Sequence, residues 1–380
     1  MSTKWSRRLV GLLLAVGLIA AGCGGSGNQG GSQTPPATQN QQPQNQQPQT
    51  QTPAPAPQEE TRLVIYTGRD QSIIDLMVAK FEEKYPEYKG KVEVLPMGAQ
   101  EIMERVRAEK ANPQGDIWWG GTQQALSLAV KEGLLAKINP EFASKIADGY
   151  KDPEGHWYGE MLLPEVIMYN KDMIPADQLP KDWDDLIDPK WKDQIIIRAV
   201  PASGTMRTIY AAMIDRFYAQ DGKPDRGYEW LLKLDANTKE YAANPTDMYL
   251  KITRQEGSLS LWNLQDVLIQ AEQEGMPFGY IIPESGVPIL VDGVGMIAGA
   301  KHPQAAEKFL NLLFSDEIQA ELSASRFQIP AIALDESLQP GWLKELTPKL
   351  KAMDLQWDVM AEKEAEWIGY WDENIKGKGK

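Results

Sequence analysis

The sequence predicts an α/β protein with largely parallel sheets, on three observations. Short runs of β-branched and aromatic residues alternate with segments whose apolar positions step by three and four. The junctions that follow such runs are rich in Gly, Ser, Thr and Asp, the residues that turn a strand into a helix start. About 320 residues follow a polar N-terminal stretch, enough for two lobes with separate cores.

At the amino end, Lys4, Arg7 and Arg8 precede an apolar run over residues 9–20, and Ala21, Gly22 and Cys23 follow. A hydrocarbon core of ~30 Å takes roughly 20 apolar residues, so this run is too short to span it and residues 1–22 are expected to be a signal peptide. Cys23 is the only cysteine in the sequence. Directly behind small residues, it resembles the lipidated cysteine of a bacterial lipobox, with Ala20 standing where Leu is usual; the alternative is a buried free thiol. No internal disulfide is available to either reading. A single acyl chain binds a membrane marginally, whereas the diacylglycerol of bacterial lipoproteins retains it. Residues 24–58 are only Gly, Ser, Asn, Gln, Thr, Pro and Ala. None of these builds a core, so residues 23–60 are expected to be a lipidated cysteine and a disordered tether.

Loss of Lys4, Arg7 and Arg8 with the leader leaves 36 basic against 53 acidic side chains, a formal charge of −17. Such a balance excludes a nucleic-acid role and argues against direct adhesion to anionic lipid. For the acidity itself, solubility is the simpler reading, ahead of attraction for a cation.

In the body, residues 63–66 form a strand run, Thr67, Gly68, Arg69 and Asp70 a turn, and Ile73, Ile74, Met77, Val78, Phe81 and Tyr85 a helix face. Residues 92–95 give a second strand, and Ile102, Met103 and Val106 mark another helix. Residues 117–119 end in Gly120, Gly121 and Thr122, ahead of a helix carrying Ala125, Leu126, Ala129 and Val130. Residues 195–200 form a strand, 201–205 a turn, and Met206, Ile209, Tyr210, Met213 and Phe217 a helix. Further on come a strand at 294–298, a helix opening at Pro303 with Phe309, Leu312 and Leu313 on one face, and a helix from about Asp316. Trp357, Met360, Ala361, Glu364, Trp367, Ile368 and Trp371 make a final amphipathic helix whose aromatic stripe is expected to dock on the body.

In α/β folds ligands gather beyond the carboxyl ends of strands, where helix amino ends point free N–H groups. Three junctions are therefore candidate site walls: Thr67 to Asp70, Trp119 to Thr122, and Ser203 to Thr205. Each also has a plain alternative, since Asp, Thr and Ser are ordinary helix caps and Gly permits tight turns.

Little here proposes catalysis. His156 and His302 are the only histidines, and no HExxH or GxSxG is present. His302, just before Pro303, is expected to be a cap or surface residue. Gly293, Gly295 and Ala298 match the dinucleotide spacing GxGxxA, but the match lies inside a strand, with no strand-to-helix turn for the glycines to form.

LVIYTGRDQSIIDLMVAKFEEKYP, GDIWWGGTQQALSLAVKEGLLAKI, VIMYNKDMIP, ASGTM and GVGMIAGAKHPQAAEKFLNLLFSDEIQAEL together resemble the type 2 extracellular solute-binding proteins of ABC importers, in the branch with ferric-iron, thiamine, phosphonate and sugar-phosphate receptors. The resemblance runs over about residues 62–331 and lies in the order and spacing of these segments. It implies a non-enzymatic two-lobed trap without cofactor, its lobes joined by crossing strands near 161–170 and 280–293. Lobe one would be residues 61–163 and 281–330, lobe two 164–280, with C-terminal helices at 331–380. It further implies a small-molecule solute, ABC permease subunits as partners, a monomer, and a place on the outer face of the cytoplasmic membrane.

Ferric-ion ligands of iron-binding members fall here on Asp70, Gly121, Leu264 and Gln265. Only Asp70 offers the hard anionic donor that ferric ion needs, so direct ferric binding is not expected. The turn Ser203, Gly204, Thr205 corresponds to one that holds an anion in relatives, with two hydroxyls and helix-start N–H groups to offer. Arg69 would add a charge-assisted bond from the opposite lobe, or be an exposed helix-start residue. Strand alternation sends Trp118 and Trp119 to opposite faces, so Trp119 is expected to face the cleft and to clamp the solute with Trp262, next to Asn263. Core packing is the alternative for both rings. The expected ligand is an organic anion such as a phosphonate, sugar phosphate or carboxylate. Alternatives are a polyamine or thiamine read by Asp70 and Asp266, with Asp247 and Glu284 as further acids, a surface glycan-binding module, or an exported hydrolase.

Overall fold

The computed structural model describes residues 61–379. The expected signal peptide, Cys23 and the tether lie outside the described residues. From the amino end the elements run β1 (Leu63–Thr67), α1 (Gln71–Lys84), β2 (Val92–Pro96), α2 (Ala99–Ala108), β3 (Ile117–Thr122), α3 (Gln123–Lys131) and the long β4 (Tyr158–Asn170). Next come β5 (Ile195–Arg198), α4 (Gly204–Asp221), α5 (Asp225–Asn237), β6 (Thr238–Ala242), α6 (Pro245–Thr253), β7 (Leu259–Asn263), α7 (Leu264–Glu272) and β8 (Phe278–Ile281). The chain ends through β9 (Ile289–Met296), α8 (Pro303–Leu313), α9 (Asp316–Arg326), β10 (Ile329–Pro330), α10 (Gly341–Leu346) and α11 (Trp357–Asn374).

β1 pairs in parallel with β2 and β3, and β5 in parallel with β6 and β7, so the predicted α/β class with largely parallel pairing is what forms. The antiparallel strands join the two sets. β4 pairs with β9 from Tyr158 to Pro164, then with β7 from Glu165 onward and with β8 at its end. One strand thus leaves the first set of partners and enters the second without a break in the chain. β9 completes the first sheet by pairing with both β3 and β4.

Strand ends depart from the sequence reading where backbone pairing overrides residue type. β9 starts at Ile289, before the predicted strand at 294–298, because pairing with β4 carries Asp292 and Gly293 into the ladder. Gly293 and Gly295 therefore lie within a strand, as their rejection as a dinucleotide turn requires. β3 continues through Gly120 and Gly121, expected as a turn, by a bulge against β9 between Trp119 and Gly121. Gly120 sits at φ 96, a backbone open to glycine and strained for side chains, which is why the bulge forms there. β5 stops at Arg198 because Pro201 opens a 3₁₀ turn over Val200–Ala202.

The first sheet buries one core on each face. Trp119 enters the core with Ile65, Phe81 and Phe309, and Trp118 the opposite one with Tyr66, Leu126 and Trp157, as strand alternation predicts. The second sheet has its own core of Ile195–Ile197, Ile209, Trp230 and Leu261, into which α11 sends Met360, Trp367 and Trp371. Trp371 packs edge-on to Tyr210 and Tyr241. The aromatic stripe of the last helix is thus a docking face on α4, and α11 also touches α3.

Candidate functional site

The three junctions singled out in the sequence come together. Gly68 N donates to Trp119 O, linking the first two turns. The third arrives across the gap: a Cβ placed on Gly204 would stand 2.8 Å from Thr122 Cγ2, so the amino end of α4 presses on the start of α3. Gln124 Nε2 also donates to Thr208 Oγ1 at 3.5 Å. Gln265 and Gln273 of α7 donate to the carbonyls of Arg326 and Ser325 at the end of α9.

A cavity of about 450 Å³ opens between the two sets of elements. Thr67, Gly68, Arg69, Pro96, Met97 and Gly98 line one wall, and Arg198, Ala202, Ser203, Pro245 and Trp262 the other. Of the sequence-predicted site residues, Thr67, Arg69, Ser203 and Trp262 are in this lining. Asp70, Trp119, Gly120, Gly121, Thr122, Gly204, Thr205 and Asn263 are not, although each adjoins a residue that is or packs on the same turns. Two wider clefts, of about 750 and 740 Å³, lie around residues 137–145 and contain none of these residues.

The side chains at the junctions are mostly engaged as caps. Asp70 accepts from Ser72 N at 2.8 Å, Thr122 from Ala125 N and Ser203 from Met206 N at 3.2 Å, and Asn263 from Asp266 N at 2.8 Å. Thr67 Oγ1 accepts from Arg69 N. What remains to offer in such a turn is backbone: the first N–H groups of an α-helix have no partner within it, and the 18-residue α4 concentrates its positive end at Ser203 to Thr205.

Two expectations need correction. Arg69 is neither an exposed helix-start residue nor a free cation for the solute. Its Nη2 donates to Glu160 Oε2 at 2.6 Å and to Asp292 Oδ1 at 2.7 Å, with only 5% of its side chain exposed. Burial works against the guanidinium charge, but Asp292 and Glu160 outweigh it and hold Arg69 above its ordinary value. Burial in turn lifts Asp292 to about 6, with Arg69 opposing the rise. Trp119 likewise shows no surface to the cavity. Its ring is fully buried edge-on to Phe309, under the Arg69 guanidinium, and its Nε1 donates to Glu160 at 2.5 Å. A core needed the ring, and Glu160 needed the donor.

Trp262 lines the cavity but is nearly buried, its Nε1 shared between Tyr249 Oη at 2.7 Å and Asp266 Oδ2 at 2.9 Å. Asp266 also accepts from Asn263 and Tyr249. Burial raises this carboxyl, and the three donors pull it back. Of the other acids named as amine ligands, Asp247 pairs with Lys251 and Glu284 is exposed. His302 occupies the cap position of α8 without a side-chain cap bond, its ring instead meeting Asp116 at 2.9 Å.

Sequence reasoning missed Arg198. It closes β5 one turn before Ser203, is half-buried, and donates from Nη1 to Ala199 O at 2.9 Å. Burial lowers its pKa, and no carboxylate counters that among the described residues. The signal was present in IIIR, a cation ending an otherwise apolar strand ahead of a candidate anion turn. Also missed were Glu160 and Glu165, acids inside the apolar run YGEMLLPEVIMYN, whose burial the run itself implies.

A sequence profile described as bacterial extracellular solute-binding protein matches residues 115–363. The chain belongs to that family. Family membership fixes a solute-binding role outside the cell, in the two-lobed type 2 periplasmic-binding-protein fold. A probable ABC transporter periplasmic-binding protein of Sinorhizobium fredii is 26% identical over 279 residues, covering 73% of this chain and 77% of that one. Iron uptake protein A1 of Synechocystis is 26% identical over 292 residues, covering 74% and 78%. Among solved structures, the periplasmic binding protein AfuA of Actinobacillus pleuropneumoniae, with exogenous fructose-6-phosphate bound, superposes with a TM-score of 0.70 at 25% identity, covering 83% of this chain and 99% of that one.

Proposed function

We propose that this solute-binding protein captures a small organic anion, a phosphonate, sugar phosphate or carboxylate, and delivers it to the permease of an ABC importer. The observation that carries the reading is Arg198, a half-buried guanidinium without a carboxylate partner among the described residues, beside the positive end of α4 in the 450 Å³ cavity. A cation held partly out of water is unfavourable until an anion arrives, and guanidinium with helix-start N–H groups suits phosphate and carboxylate geometry. Fructose-6-phosphate in AfuA and the periplasmic-binding name of the Sinorhizobium relative support the same reading. Trp262 supplies an apolar wall for the body of the solute.

In this reading the chain acts without catalysis, as a monomer, held by a lipidated Cys23 and residues 24–60 to the outer face of the cytoplasmic membrane. Lobe one comprises residues 61–163 with 281–330 and lobe two 164–280, with residues 331–380 packed on them. A cationic solute has less support, because Asp70 is a helix cap and Asp266 already accepts from three donors. The iron-uptake relative makes ferric ion the reading to test beside it. Ferric ion chelated by an organic anion would present the same carboxylates to Arg198.

The test is thermal unfolding of the purified protein with fructose-6-phosphate, 2-aminoethylphosphonate, citrate, ferric citrate, ferric chloride, spermidine and thiamine. A solute that binds only the native state adds about 2.7 kcal/mol at a hundred times its dissociation constant. Stabilisation by one of the anions is expected, with the solute recovered unchanged. Stabilisation by spermidine, thiamine or ferric chloride alone overturns the reading.

A further inference from the structure

Glu165 stands where β4 changes partners: Pro164 is the last residue paired with β9, and Glu165 the first paired with β7. It is therefore on the strand that connects the two halves, at the point where bending between them must be absorbed. Its side chain is fully buried, and neither carboxyl oxygen has a hydrogen-bond partner.

The charges around it leave it uncompensated. Asp266, at the amino end of α7, and Asp292, on β9, both act on Glu165 as like charges. Beyond them stand Glu160 on β4 and the Arg69 guanidinium, which Glu160 and Asp292 already share. Tyr249 of α6 and Asn263 of β7 donate to Asp266, and Asp70 acts on Asp266 as a further negative charge. Burial pushes the Glu165 carboxyl well above the usual carboxylate range, and Asp266 and Asp292 push it further. Among the described residues no group of three or more His, Cys, Asp or Glu is arranged to hold a metal ion.

We propose that Glu165 is a proton-operated part of the hinge, keeping its proton while the two halves are packed together and giving it to water when the crossing strands part. Hydration of the carboxylate in the parted state replaces the proton as the source of stabilisation. Because the packed state holds the proton more tightly, its advantage is complete below the ordinary carboxylate range and is lost as pH rises through the packed-state value. Capture of any solute that needs the packed state then takes up a proton, whichever solute that is.

Small-angle X-ray scattering of the full chain without solute, from pH 5 to 8.5, tests this separately from the identity of the solute. The radius of gyration of the wild-type protein is expected to rise with pH, while Glu165→Gln, neutral and nearly isosteric, stays compact throughout. Thermal unfolding adds a second readout: Glu165→Gln should gain about 2–4 °C over wild type at pH 8 and nothing at pH 4.5. If the Gln variant is not recovered, Glu165→Leu serves, with the same compact curve expected. A wild-type radius that ignores pH, a variant that expands in parallel with wild type, or an expansion that follows sodium or potassium at fixed pH each overturns the proposal.

Discussion

Arg69 enters the cavity from the turn after β1, and Arg198 from the end of β5 in the other half. Both begin as a cation just before a helix start, and the sequence offered only the first as a ligand group. In the fold Arg69 is consumed by Glu160 and Asp292, 91 and 223 residues away, whereas Arg198 meets a single backbone carbonyl. A charge already satisfied inside the protein builds structure, and one left short of a partner can select a solute. The difference lies in the supply of carboxylates, which are buried in the crossing strands on the Arg69 side and absent around Arg198 among the described residues.

Substitutions that separate structure from selection sharpen this contrast. The largest effect belongs to Arg69→Gln, which leaves Glu160 and Asp292 buried without their cation. We expect a loss of about 3–5 kcal/mol in denaturant unfolding, the range for breaking a buried pair on one side. A loss below about 1 kcal/mol would mean that Arg69 is not the structural member of the pair. Next is Arg198→Gln, expected to keep stability within about 0.5 kcal/mol while weakening the anion found in the screen by about 10–100-fold, as measured by calorimetry. Unaltered affinity there would remove the distinction from the other direction. The smallest is Ser203→Ala, which deletes the cap bond to Met206 N and should cost about 1 kcal/mol of stability with a modest fall in anion affinity.

The same contrast marks how far the sequence reaches. Local features were legible: the strand–turn–helix units at β1–α1 and β5–α4, the strand and helix of β3–α3 though not the turn between them, the opposite faces of Trp118 and Trp119, and the docking face of α11 follow from periodicity and turn chemistry. The convergence of the turns was also within reach, because ligand-side junctions of α/β sheets share one edge. What escaped were the partners. Nothing near Arg69 in the sequence announces Asp292, and nothing near Trp119 announces that Glu160 takes its N–H. Long-range pairing decided both, and it also moved the start of β9 past residues whose types suggest a turn.

Gly204 belongs covalently to the second half of the molecule but rests on Thr122 of the first, with no room for a methyl group between them. Under the proposed function, the turn that takes the solute is also the place where the second half bears on the first. In that reading recognition and closure become a single mechanical event, and a solute that fails to seat on this turn leaves the latch without its pin.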